Sequence, residues 1–182
     1  NCALMFSGQL PHYVEPRKLA DQGGLISGQT TVSALPRLSE FEHSQSQPVQ
    51  VALTFERDAD EGQRIVHGTV STELVMTCQR CLEPVSCVVT AQVHLALVWS
   101  EDEIQALPER YDPWLVTEEK MPLATLLEEE LLLALPLVAT HEQCPTRLPE
   151  GAEPEGGASD ETSAEKADNP FAVLASLKGS QK

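Results

Sequence analysis

Apolar residues recur at every second position along three stretches in the middle of the chain. In 49–55, four apolar residues alternate with polar or small ones, and the stretches 66–76 and 85–99 repeat the pattern. A period of two is typical of strands with one buried face. The three stretches therefore predict an antiparallel meander. Cys87 falls on the apolar face of the last one, where an unligated cysteine behaves as a small core residue.

The apolar period changes in 121–136, where leucines and Ala134 fall along one stripe at a spacing of three or four residues. This spacing is typical of an amphipathic helix. Pro122 suits the first helical position and Pro136 ends the pattern. We predict a core helix that packs its leucines on one face of the sheet and exposes its glutamates at 128–130 to solvent.

Weaker signals flank these elements. They indicate a helical turn in 14–24, a poorly alternating strand in 25–35, a short helix in 35–43, a short helix in 101–107 and a further strand in 113–116. Because no regular strand–helix–strand rhythm appears, a parallel sheet is not expected. The predicted fold class is α+β: an antiparallel β-meander or partly closed barrel packed with a few helices.

The composition divides the chain into three parts. Residues 1–148 hold all of these elements and predict a single α+β domain. Within 149–168 there are seven acids and one base, without an aromatic residue. Such a segment cannot bury enough apolar surface to fold, so we predict a disordered acidic linker. Residues 169–182 form a third part with a new apolar pattern.

This C-terminal part has the pattern of a short amphipathic helix. Asn169 suits the N-cap and Pro170 the first helical position, while Phe171, Leu174 and Leu177 share one helical face. A helix on a flexible tether can dock on a partner or fold back on its own domain, and the sequence leaves both open. For a partner, these three apolar side chains are the predicted docking residues.

The formal net charge is −16, with 28 acids against 12 bases. Such a surface repels nucleic acid at long range and attracts a basic partner, such as a ribosomal protein, although acidity also serves solubility alone. The longest apolar run, 131–139, is too short to cross a bilayer. Residues 1–20 lack the apolar core of a signal peptide. We expect a cytoplasmic protein with reduced cysteines and no membrane contact.

Cys78 and Cys81 stand two residues apart between two predicted strands. A redox pair gains its reactivity from a helix N-terminus, whereas here Pro84 and a strand follow. A tight turn with this spacing is typical of half a zinc site, because it presents both sulfurs to one ion. His141 and Cys144 have the same spacing and would complete the set. Since 59 residues separate the halves, unligated thiols remain the alternative.

Catalytic motifs are not evident in the sequence. It has neither a glycine-rich phosphate loop nor a Gly-x-Ser-x-Gly pattern, so we expect no enzyme and no small-molecule substrate. A ribonuclease that uses the glutamates at 128–130 and His141 is the enzymatic alternative. Arg80, Arg17 and Lys18 are the bases placed to contact RNA, although RNA-binding domains are usually basic with exposed aromatics.

Four segments, in this order, resemble the bacterial YceD family, the large ribosomal RNA subunit accumulation proteins. They are "HYVEPRKLADQGG", "VMTCQRCLEPV", "EEELLLALPLVATHEQC" and "NPFAVLASLK". The resemblance implies a cytosolic, non-enzymatic factor needed for the synthesis, processing or stability of 23S ribosomal RNA. Its expected partners are this RNA or its precursor and basic large-subunit proteins. A zinc-stabilised protein–protein adaptor is the alternative, and the resemblance does not settle whether metal is bound.

Overall fold

The three alternating stretches form the centre of a six-stranded sheet in the computed structural model, which describes residues 5–38, 40–59 and 62–144. The strands are β1 Met5–Gln9, β2 Tyr13–Val14, β3 Leu25–Thr31, β4 Pro48–Arg57, β5 Arg64–Thr77, β6 Pro84–Val98, β7 Asp112–Leu115 and β8 Met121–Pro122. The helices are α1 Pro16–Gln22, α2 Glu101–Ala106 and α3 Leu123–Leu133. The predicted α+β class is confirmed.

The large sheet has the strand order β1-β3-β4-β5-β6-β7, and β2 pairs separately with β8. Its inner pairs are antiparallel, as predicted. The pairs β1–β3 and β6–β7 are parallel, which corrects the expectation of a sheet without parallel pairing. Each parallel pair is joined by a crossover that contains α1 or α2, as parallel strands require. The order is open, so the described strands do not close into a barrel.

The main core lies between one face of the sheet and a layer made of α1, α3 and short 3-10 turns. The predicted leucine stripe of α3 is confirmed, because Leu123, Leu126, Leu127 and Leu131 are buried. A smaller cluster around Ile65, Ala96 and Tyr111 also includes Leu107, which follows α2.

The region 25–43 differs from its prediction. The strand ends at Thr31, and two short 3-10 helices, Val32–Ala34 and Pro36–Leu38, follow instead of a regular helix. After the strand, the buried residues of the two turns are Val32, Leu35 and Leu38. Their spacing of three residues matches the 3-10 period and not the α-helical one, so the chain buries its apolar residues best in this tighter form.

Three details of the sequence interpretation are wrong. Glu128 is buried rather than solvated, because its carboxylate accepts a hydrogen bond from the backbone N–H of Arg37 at 3.0 Å. Pro122 is the N-cap of α3 and not its first helical residue. Cys87 is half-buried and packs in a small cluster at the end of the β5–β6 hairpin, outside the main core.

All described residues belong to one compact unit. The predicted linker 149–168 and the docking residues Phe171, Leu174 and Leu177 lie outside the described residues. Among the described helices, none has the length and apolar character needed to span a membrane.

Candidate metal centre

The turn between β5 and β6 holds Cys78 and Cys81. The N–H of Cys78 donates to the carbonyl of Glu83, and the N–H of Leu82 donates back to the carbonyl of Cys78, both at 2.9 Å. Leu82 closes the turn with a left-handed φ of 63°. These bonds fold the Cys-x2-Cys segment into a tight knuckle, so both sulfurs can approach one point.

The second pair of side chains arrives from the segment after α3. The backbone N–H of Gln79 donates to the carbonyl of Ala139 at 2.8 Å and ties this segment to the knuckle. The ligand atoms of Cys78, Cys81, His141 and Cys144 then all lie within 4.8 Å of one another. The predicted four residues therefore form a cluster that could hold a metal ion.

Two separations within this cluster are close to those of tetrahedral coordination. The sulfurs of Cys78 and Cys144 are 3.9 Å apart, and the sulfur of Cys81 lies 3.4 Å from Nδ1 of His141. Tetrahedral zinc with its usual bond lengths would place two sulfurs about 3.8 Å apart, and a sulfur and a nitrogen about 3.6 Å apart. The residues fit a tetrahedral ion with three sulfurs and one nitrogen.

The ring of His141 is held in the orientation that a metal ligand needs. Its Nε2 lies 3.1 Å from the carbonyl oxygen of Pro84. A carbonyl can only accept a hydrogen bond, so this contact assigns the proton to Nε2. The lone pair is then on Nδ1, which faces Cys81. A second hydrogen bond that fixes the tautomer is the usual support for a ligating histidine.

The pKa of the Cys78 thiol lies well below its usual value. Burial alone would raise its pKa, but the backbone N–H groups of Cys81, Arg80 and His141 point at the sulfur and lower the pKa from 9.0 to about 5. At Cys81 the N–H of Glu83 acts in the same direction, but burial and the neighbouring sulfurs outweigh it and raise the pKa. The two cysteines of the knuckle therefore differ in the direction of their pKa shifts.

Arg80, one of the predicted RNA contacts, lies against the cluster. Its Nε donates to the sulfur of Cys144 at 2.7 Å, and a terminal nitrogen donates to the carbonyl of His141 at 3.0 Å. The nearby sulfur of Cys144 is the main cause that raises the pKa of Arg80.

Arg17 and Lys18, the other predicted RNA contacts, lie on α1. Lys18 pairs with Glu15 at 3.5 Å. The guanidinium of Arg17 lies 5.5 Å from the ring centre of Trp99, which follows β6. With Glu15 and residues 116–119, these side chains line a cavity of about 520 Å³. The alternating pattern placed Trp99 on the apolar face of the stretch 85–99, but nothing local in the sequence marks it as a neighbour of α1.

The three bases do not form one patch. Arg80 precedes the 15-residue strand β6 and Trp99 follows it, so the length of that strand separates the knuckle from the α1 cavity. At the cavity, the acids Asp21, Glu118 and Glu119 also line the wall. Arg17 and Lys18 therefore lie apart from Arg80.

The fold and the site define an α+β protein with a Cys₃His cluster that could hold a metal ion. The chain belongs to the YceD family: the model of the family described as "Large ribosomal RNA subunit accumulation protein YceD" matches residues 66–178. The protein of that name from Haemophilus influenzae is 34% identical over 176 residues, which cover 93% of this chain and 97% of the relative. No solved structure matches the chain. The resemblance seen in the sequence is thereby confirmed.

The exposed Leu82 is strained, which leads to a stability prediction. A left-handed backbone costs an L-residue about 1–2 kcal/mol, and this side chain is 74% exposed and gains little from packing. We expect Leu82→Gly to raise the free energy of unfolding by about 0.5–1 kcal/mol, since relief of strain exceeds the entropy cost of glycine. Chemical denaturation measures the change.

The matched control is Leu137→Gly, which removes another exposed leucine, and no positive φ is recorded there. It relieves no strain and should not gain stability. A loss of stability in both variants would show that Leu82 is held by contacts and that its φ costs nothing.

Proposed function

We propose that this protein is a ribosome biogenesis factor that supports the synthesis, processing or stability of 23S ribosomal RNA and large-subunit assembly in the cytoplasm. It acts by binding and not by catalysis. Membership of a family named for large ribosomal RNA subunit accumulation carries this proposal. The convergence of Cys78, Cys81, His141 and Cys144 supports a metal site at the knuckle as part of this proposal.

The metal of the knuckle is zinc, held by Cys78, Cys81, Cys144 and His141. Three sulfurs and one nitrogen are a common ligand set of structural zinc sites, in which protein side chains fill all four positions. When bound, zinc supplies a crosslink between its ligands. The chain's own residues bring the hairpin tip and the segment after α3 together and fix the ring of His141. The result is a rigid surface at the end of the β5–β6 hairpin.

Three of the four groups named for a ribonuclease already have partners within the protein, which supports binding over catalysis. Glu128 is buried against the backbone of Arg37. Glu129 pairs with the side chain of the same arginine at 3.5 Å. His141 faces the sulfurs with one nitrogen and Pro84 with the other. A general base must be free to reach a substrate proton, whereas these three groups are held by contacts within the protein.

The RNA contact lies at the cavity beside α1. Arg17 and Lys18 supply positive charge, and Trp99 supplies an aromatic face of the kind on which unpaired bases stack. Glu118 and Glu119 on the same wall limit the contact to a small segment of RNA. The acidic remainder of the surface suits basic large-subunit proteins. Phe171, Leu174 and Leu177 are proposed to dock on one of these partners.

Depletion of the protein in its own cells tests the proposed function. The ratio of 23S to 16S ribosomal RNA should fall on depletion and return when the wild-type gene is supplied. An unchanged ratio in depleted cells would contradict the proposal, because the small-subunit RNA serves as an internal standard for transcription and growth.

The proposed RNA contact at the α1 cavity predicts that charge reversal there weakens RNA binding. Reversing both charges with Arg17→Glu and Lys18→Glu should weaken binding to unpaired 23S fragments at least tenfold and flatten its salt dependence, since each lost phosphate contact reduces the slope by about one unit. Filter binding over a series of salt concentrations measures both. Arg37→Glu reverses one charge and is the control for the single variant Arg17→Glu, because Arg37 is exposed and pairs with Glu129 of α3 instead of lining the cavity. Equal losses in both variants would mean that only net charge matters.

A further inference from the structure

The structure assigns Arg80 to the metal centre. We propose that it is a positioning residue, which hydrogen-bonds the His141–Cys144 segment to the knuckle and offsets the negative charge of the thiolates. This inference rests on the proposed metal site. It replaces the role that the sequence suggested for Arg80, which was a contact with RNA phosphate.

Arg80 joins the two halves of the site through two hydrogen bonds from its side chain. Arg80 starts on the knuckle, between Cys78 and Cys81. Its Nε reaches the sulfur of Cys144 at 2.7 Å and a terminal nitrogen reaches the carbonyl of His141 at 3.0 Å. Both acceptors belong to the segment after α3, which is 61 to 64 residues away in sequence. The planar guanidinium therefore joins the two halves of the ligand set directly.

Charge gives the second reason for an arginine here. Three thiolates and a neutral imidazole around a divalent ion carry a net charge of −1, and the guanidinium cancels it. A hydrogen bond from a charged donor to a thiolate also withdraws electron density from the sulfur and lowers its reactivity. Lysine would supply the charge, but it lacks the planar guanidinium group, which holds two N–H donors in a fixed relative orientation. Arg80 thus acts on Cys144 both by position and by charge.

This position also limits what Arg80 can offer to RNA. Two of its nitrogens already have partners within the protein, and a phosphate would have to compete with a thiolate for them. Metal ligands are usually held in place by hydrogen bonds from neighbouring groups. Loss of such a hydrogen bond typically weakens metal binding ten- to a hundredfold. The same range is expected for Arg80.

The test compares full-length wild type with Arg80→Ala, Arg80→Lys and Arg80→Gln. Zinc affinity is measured by competition with a chromophoric chelator, and the alkylation of each cysteine by mass spectrometry on the zinc-loaded protein. We expect Arg80→Ala to bind zinc ten- to a hundredfold more weakly and Cys144 to be alkylated faster, with Cys87 unchanged. Arg80→Lys should recover part of the protection of Cys144, and Arg80→Gln should recover less, because it lacks the charge. Arg37→Ala is the matched control and should match wild type.

The possible results distinguish a failure of the role proposed for Arg80 from a failure of the proposed metal site. Zinc affinity within twofold of wild type in Arg80→Ala, with unchanged alkylation of Cys144, would overturn the role of Arg80 and leave the metal site intact. A loss of 23S fragment binding in that variant at full zinc content would also overturn it, in favour of an RNA contact. Wild-type protein that binds no zinc would instead remove the proposed metal site itself.

Discussion

Protein purified without chelator is expected to contain about one zinc ion per chain, and its removal should destabilise the fold strongly. At a free zinc concentration a thousandfold above Kd, binding adds about 4 kcal/mol to the free energy of unfolding. For a domain of this size that corresponds to a Tm lowered by about 8–16 °C on chelation. Cys78→Ser should show the same loss without chelator, since Cys78 is the fully buried member of the four proposed ligands.

Cys87→Ser is the matched control for this experiment. Cys87 lies in the same small apolar cluster as Cys78 and is half-buried, but it is not among the four residues whose ligand atoms converge. It should keep the full zinc content and most of the stability. Metal-free wild-type protein, or equal metal content in the Cys78→Ser and Cys87→Ser variants, would contradict the assignment of ligands.

The second large effect is expected in α3. Leu127→Ala and Leu131→Ala should each lower the free energy of unfolding by about 2–5 kcal/mol, because truncation of a buried leucine loses transfer energy and leaves a cavity. Both side chains are almost fully buried in the main core. Urea denaturation of each variant measures the loss through its midpoint at an unchanged slope.

Leu133→Ala serves as the comparison in the same helix. Leu133 is 82% exposed, so its truncation should change stability by no more than about 0.5 kcal/mol. Alanine is the better helix former, so helix propensity cannot cause a loss in these variants. Losses of equal size at all three positions would therefore show that burial does not set the loss, and would contradict the contact of the leucine stripe with the sheet.

The parts of the fold that the sequence predicts are those that depend on local period. Alternation alone located β4, β5 and β6, and helical spacing located α3. The parallel pairing of β1 and β7 could not be predicted, because each of them joins the sheet through a crossover whose geometry depends on the assembled sheet. The buried Glu128 was missed for a related reason: its partner Arg37 is 91 residues away.

The candidate site was likewise predictable from the sequence only where it depends on a local pattern. The spacing of the Cys-x2-Cys and His-x2-Cys pairs was enough to predict all four converging residues. The direction of the Arg80 side chain and the contact between Arg17 and Trp99 depend on the tertiary structure, since residue type alone allows each arginine many partners. A sequence can thus name the ligands of a knuckle, but not the residue that joins its halves.

The central claim is that this protein binds a large-subunit precursor and does not cut its RNA. The most direct measurement mixes purified zinc-loaded protein with purified precursor particles of the large subunit and follows both through a density gradient, with the RNA then sized on a gel. We predict that the protein sediments with the particles and that the 23S precursor keeps its full length. Protein that stays at the top of the gradient, or precursor RNA that is shortened by substoichiometric protein, would contradict the account.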